Sequence, residues 1–207
     1  MAEPTIDAGP VALRRSPLAH LEDRMRAAAV TGARGVTLLE RPFLTMVNVR
    51  VAPGSEAAGR MEKTLGARLP RECGQTTESG PHTAVWLGPD EWLVISRADG
   101  TALTAELREA LGADPGSAVD VSANRTTLEL RGPSARPVLE KGCPLDLHPR
   151  AFGPGKAVST TVGPVPVLLR QIDDAPAYHL LPRSSFADHL ARWLIDAMSE
   201  FRGAEVP

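Results

Sequence analysis

The chain has 207 residues, with 23 Lys+Arg against 25 Asp+Glu and a formal net charge of −2. That length supports one domain or two small ones in close contact, and it is long enough to bury a sizeable core. The balanced charge argues against a nucleic-acid binder working by general electrostatics, which wants a basic stripe, and three Trp, four Phe and one Tyr would be hard pressed to furnish a base-stacking platform or a flavin sandwich.

Residues 1–19 contain Pro4, Gly9, Pro10 and Pro17 and no apolar periodicity, which predicts a flexible or draped arm. Residues 20–31 form a short predicted helix ending near Gly32. Val36–Glu40 reads as a strand, and Phe43, Thr45, Val47, Val49 and Val51 alternate with their neighbours as a longer one. Ser55, after Pro53-Gly54, is placed to cap a helix whose buried face carries Ala58, Met61 and Leu65 and whose stop is Gly66. Residues 67–82 are a long polar connection of the kind that is often functional.

His82–Leu87 and Glu91–Ser96 are two strands around the turn Gly88-Pro89-Asp90. Leu103, Leu107, Ala110 and Leu111 share a helical face closed by Gly112. Ala118–Val121 and Thr126–Arg131 are strands, the second with Leu128 and Leu130 inward. A helix over 135–141 starts from Ser134, so that Pro137 falls in its first turn, where no intrahelical N–H bond is lost. Val158–Val162, Val165–Ile172 and Ala177–Leu181 are three further strands. The last helix opens with Ser185 and Asp188 at capping-box spacing and carries the stripe Phe186, Leu190, Trp193, Leu194, Ala197, Met198 and Phe201. Pairs of strands punctuated by single helices predict an α+β fold of antiparallel or mixed sheets with helices packed on them. The doubling predicts two ferredoxin-like pseudo-repeats, about 20–114 and 115–207, within one compact unit.

Chemical motifs are scarce. There is no nucleophile elbow and no dinucleotide fingerprint. Gly153-Pro154-Gly155-Lys156 lacks the earlier glycine and the Ser/Thr of a phosphate loop. No histidine has an i, i+4 partner. Cys73 and Cys143 are far apart with no C-x-x-C pair, which argues for two reduced thiols in a cytoplasmic protein and against a disulfide framework or a cysteine zinc site. Neither a signal peptide nor a run of membrane-spanning length is apparent. Asp120, Ser122 and Asn124 read as an Asx-type turn, with a substrate-binding carboxylate as the alternative. Trp86 and Trp92 read as core aromatics with a satisfied indole N–H, or as partner-facing anchors.

The stretch Asp120–Phe152, above all GCPLDLHP at 142–149 and the Asp-Val-Ser…Asn-Arg-Thr run, resembles the gamma subunit of bacterial heterotetrameric sarcosine oxidase. So do RSPL at 15–18, LGPDEWLVIS at 87–96 and LLRQIDDAPAYHLLPRSSFADHL at 168–190. The resemblance extends from Arg15 to Phe201. It implies membership of a complex with alpha, beta and delta subunits that converts sarcosine to glycine, hydrogen peroxide and 5,10-methylenetetrahydrofolate. FAD, FMN, NAD, zinc and tetrahydrofolate are then expected on the other subunits and none on this chain. It also implies a structural role, packed on the alpha subunit.

A more distant likeness, at Asp120-Val121-Ser122 and Gly132–Arg136, is to the glycine-cleavage aminomethyltransferase. A free-standing folate-binding protein and a small-metabolite module are therefore the alternatives. No catalytic, cofactor or metal residue is expected. The candidate partner-interface residues are Trp86, Asp90, Trp92, Asn124, Arg125, Cys143 and His148.

Overall fold

A computed structural model describes residues 14–203. After a short 3-10 turn over Ala19–Leu21 come α1 (Glu22–Ala27), β1 (Thr37–Glu40), β2 (Thr45–Val51), α2 (Glu56–Leu65), β3 (Thr76–Ser79), β4 (His82–Gly88) and β5 (Glu91–Ser96). They are followed by α3 (Gly100–Leu111), β6 (Gly116–Asp120), β7 (Leu128–Arg131), α4 (Ala135–Glu140), β8 (Ala157–Val162), β9 (Val165–Asp173), β10 (Ala177–Pro182) and α5 (Ala187–Met198). The strands form two five-stranded sheets, ordered β1-β7-β10-β9-β8 and β3-β4-β5-β2-β6. Every pairing is antiparallel. The fold is therefore α+β.

Strand alternation explains how the layers stack. In β2, Val47, Val49 and Val51 enter one core with Met61 of α2 and Leu107 of α3, while Met46 points the other way. In β9, Val167 and Leu169 enter a second core with Leu139 of α4 and Leu194 of α5, while Leu168 points the other way. Met46, Val85, Leu93 and Ile95 from one sheet meet Ala157, Leu168 and Leu181 from the other. Each sheet is thus covered by helices on its outer face and by the other sheet on its inner face.

Local signals set the helix ends. The Ser55 hydroxyl accepts from Ala58 N–H at 3.1 Å, and Gly66 ends α2 in the left-handed conformation at φ 65°, which favours glycine. Asp99 caps α3 by accepting from Ala102 N–H at 2.9 Å. Pro137 lies in the first turn of α4, as its missing N–H requires.

The structure departs from expectation at several points. Strand exchange crosses the predicted boundary near 114: β6 lies in the sheet of β2–β5, and β1 lies in the sheet of β7–β10. Of the predicted arm, residues 1–13 lie outside the described residues. Leu18 is buried in the core under α1, and the Ser16 hydroxyl donates to Glu40 at 2.5 Å. The 67–82 connection contains β3, and its Leu69 is buried.

Phe43 is outside the strand, at φ 60° and 52% exposed. The capping box at 185–188 does not form, because a 3-10 turn over Ser184–Phe186 precedes α5 and leaves Phe186 at the cap position. Asp188 instead accepts from Arg192 at 2.7 Å and pairs with His20 at 2.7 Å. These hydrogen bonds, the one from Arg192 first, hold its carboxyl at about 2. Phe186 leaves the buried stripe and is 44% exposed.

Candidate functional site

The chemistry-bearing side chains gather in the layer between the sheets. Leu128 and Leu130 take the helix-facing side of β7, so Glu129 faces the second sheet; His179 does the same between Tyr178 and Leu180 of β10. The register sets Glu129 opposite His179. A cleft of about 510 Å³ opens here, lined among others by Arg41, Glu78, Arg97, Glu129, Arg170 and His179.

Arg41 grips Glu129 with two hydrogen bonds, of 2.8 and 3.1 Å. Arg131 Nε adds a third at 3.3 Å. His179 Nε2 lies 3.2 Å from the same carboxylate. Burial alone would raise the Glu129 carboxyl, but hydrogen bonds from Arg41 and His179, with their charges, outweigh it and set it at about 2. Burial is also the main influence on His179 and pulls its pKa below 6.5 despite the Glu129 hydrogen bond. The neutral ring then donates through Nε2–H to a carboxylate that only accepts.

Arg170, on β9, pairs with Glu78 on β3 and ties one sheet to the other. Burial lowers the Arg170 pKa, and Glu78 opposes this. The seam continues in Ala157 N–H to Gly74 O at 3.0 Å and Thr76 Oγ to Gly155 O at 2.7 Å. Glu129 and Glu78 are each committed to a guanidinium. The arrangement braces the two sheets and leaves neither of these acids free as a general base.

A second cleft of about 350 Å³ is also lined by both sheets, with Asn48, Glu91, Asn124, Arg125 and Arg183 around Leu87, Leu93, Val119, Val121 and Leu168. Asn48 Nδ2 donates to Glu91 at 2.8 Å. Arg125 donates to the Leu181 carbonyl at 2.8 Å. Burial lowers the Arg125 pKa, and the neighbouring Arg183 lowers it further. A third, more apolar cleft of about 650 Å³ lies between α1 and β1, where the Arg14 guanidinium sits 5.2 Å from the Phe43 ring centroid.

The structure scatters the sequence-derived candidates. Asn124 and Arg125 come together in the second cleft. Trp86 and Trp92 face each other across the β4–β5 hairpin. Trp86 is partly buried, whereas Trp92 is only 2% exposed and donates its indole N–H to Pro70 O at 2.7 Å. Asp90, at the hairpin turn, is held by Arg50 at 3.0 and 3.1 Å. Cys143 is buried in the core under α4 and α5. His148 is exposed, and its Nδ1 accepts from Arg150 N–H at 3.3 Å. Trp92 and Cys143 are therefore packing residues whose surfaces are spent inside the chain.

Asp120 accepts from both the N–H and the hydroxyl of Ser122, at 2.8 and 2.5 Å, which is the Asx-type turn. Sequence reasoning missed Glu129, Arg170 and Arg183. The signal for Arg170 was the consecutive apolar run Val167-Leu168-Leu169 that precedes it on β9, which marks a strand covered on both faces.

Among the described residues no group of three or more His, Cys, Asp and Glu is placed to hold a metal ion. No described helix is long and apolar enough to cross a membrane. Two packed antiparallel sheets with outer helices define a fold shared with the glycine cleavage system aminomethyltransferase T of Bartonella henselae. That likeness has a TM-score of 0.64 at 15% identity and covers 92% of this chain and 62% of that one. Residues 50–200 match the family model described as "SoxG: Sarcosine oxidase, gamma subunit family".

The chain is 47% identical over 195 residues to sarcosine oxidase subunit gamma of Corynebacterium sp. strain U-96, covering 94% of each. It is equally similar to the subunit of that name from an Arthrobacter species. A chain in the heterotetrameric sarcosine oxidase of Corynebacterium sp. U-96, solved in complex with pyrrole 2-carboxylate, superposes with a TM-score of 0.90 at 45% identity, covering 94% of this chain and all of that one. The chain belongs to the sarcosine oxidase gamma subunit family.

Proposed function

We propose that this chain is the structural gamma subunit of a cytoplasmic, four-subunit sarcosine oxidase, packed on the alpha subunit beside beta and delta. The complex would demethylate sarcosine oxidatively to glycine, with hydrogen peroxide and 5,10-methylenetetrahydrofolate as the other products. FAD, FMN, NAD, zinc and tetrahydrofolate would be held by the other subunits. We read the two sheets as ferredoxin-like repeats, the second permuted so that β1 supplies its last strand.

The observation that carries this reading is the near-complete superposition on a chain of a heterotetrameric sarcosine oxidase. The internal pairing of Glu129 and Glu78 supports a structural role. Co-expression with the other three subunits tests it. The chain should copurify with a yellow, flavin-containing complex that makes peroxide from sarcosine. Omitting it should lower the yield or stability of that complex; full assembly and activity without it would refute the proposal.

The likeness to aminomethyltransferase T favours a second reading, a free-standing folate-binding protein. Calorimetry with tetrahydrofolate discriminates the two. Tight binding by the isolated chain, lost in Asp120→Asn with the fold unchanged, would favour the second.

A further inference from the structure

We infer that Arg125 and Arg183 form a seat for the carboxylate of an acidic segment on a partner subunit, docked in the second inter-sheet cleft. The inference rests on the assembly role proposed above.

The backbone forces the two guanidinium-bearing residues together. Arg125 and Arg183 form an isolated antiparallel bridge, and Ser184 is bonded to Asn124 O and Ala123 O at 2.9 Å each. Neither arginine makes an ion pair among the described residues, in contrast to Arg41, Arg50, Arg60, Arg131, Arg170 and Arg192. Arg125 is partly buried, and one of its donors is used by Leu181 O, so the rest of its fork is available. The carboxylate that lines the cleft, Glu91, is bound by Asn48.

Two like charges held side by side repel, and an anion received between them relieves that repulsion through charge-assisted hydrogen bonds. The surroundings favour a protein over a free metabolite. Val119 lines the cleft and Phe186 lies three residues beyond Arg183, each 44% exposed. A small carboxylate would leave both uncovered, whereas a protein segment buries apolar side chains around an arginine anchor, the usual composition of an interface centre.

The test uses the full chain co-expressed with the other subunits. Arg183→Glu is the main variant, because Arg183 is exposed and its side chain makes no hydrogen bond among the described residues. Occupancy of the chain in the purified complex is measured by native mass spectrometry over graded salt. We expect R183E to lower occupancy at least tenfold while its own thermal stability stays at the wild-type value. The R125K and R183K variants, treated in the complex with a zero-length carbodiimide, should couple to an Asp or Glu of another subunit.

R183E retained like wild type, with no coupling from either lysine variant, would overturn the inference. So would stabilisation of the isolated chain by succinate through these arginines while R183E still assembles normally, because the seat would then serve a free carboxylate. Failure of the wild-type chain to enter any complex would instead refute the assembly role itself.

Discussion

The Glu129 brace makes a quantitative and pH-dependent prediction. Glu129→Gln keeps the shape of the side chain and removes the charge that Arg41, Arg131 and His179 converge on. The carboxyl falls from 4.5 to about 2 on folding. Each tenfold change in acidity is worth ~1.4 kcal/mol, so the full effect is ~3 kcal/mol at neutral pH. The Glu129 side chain is 6% exposed, but Arg41 and Arg131 are 51% and 44% exposed. Water screens their share, which brings the expected loss to ~2 kcal/mol.

The sign follows from linkage. A carboxyl whose folded pKa is depressed contributes stability that is fully present above 4.5 and is lost as pH falls toward 2. Urea unfolding of the wild type and of E129Q should therefore differ by ~2 kcal/mol at pH 7 and by roughly half that at pH 3. A gap that stays constant from pH 7 to pH 3, or one below ~0.5 kcal/mol at pH 7, would refute the electrostatic account.

Other substitutions test other parts of the architecture. Trp92→Phe leaves Pro70 O unpaired in a buried site and should cost about 1–3 kcal/mol by denaturant melts. Gly142→Ala would set a Cβ 2.7 Å from the Trp193 ring and 2.9 Å from Gly163 N, so it should destabilise by about 1–3 kcal/mol through overpacking. Ser55→Ala removes the cap of α2 and should cost ~1 kcal/mol. His179→Gln should flatten the stability profile below pH 6.5, where the buried neutral ring of the wild type makes the fold lose stability as the unfolded chain takes up protons.

Period-2 alternation and turn residues located all the strands except β3, because those signals are local. The cap of α2 by Ser55 and the first-turn position of Pro137 were readable for the same reason. The partner of each strand was not readable. β6 and β1 each join the other half's sheet, and nothing in Gly116–Asp120 or Thr37–Glu40 encodes a long-range choice between two similar antiparallel edges. The Asp188 carboxylate shows the same limit, since its spacing from Ser185 suits a cap while His20, 168 residues away, takes the oxygen. Glu129, alternating with Leu128 and Leu130, looks like a solvent-facing position of an amphipathic strand until a second sheet covers it.

Strand exchange has a physical consequence for the candidate sites. The sheet of β2–β6 is drawn from the continuous segment 45–120, but the sheet of β7–β10 takes its edge strand β1 from residues 37–40, so that sheet is complete only when the two ends of the chain come together. The inner layer then fixes how the sheets sit. Met46, Leu93 and Ile95 against Leu168 and Leu181 supply a non-directional apolar contact, which by itself tolerates sliding. The Arg170–Glu78 pair and the Gly74–Ala157 hydrogen bond are directional and select one register. The second cleft draws Leu93 from one sheet and Leu168 from the other, so its width follows that register. Loosening the seam with Glu78→Ala should therefore weaken retention of the chain in the complex through the Arg125–Arg183 cleft. A double-mutant cycle with R183E should show the two changes to be non-additive; strict additivity would separate the brace from the docking surface.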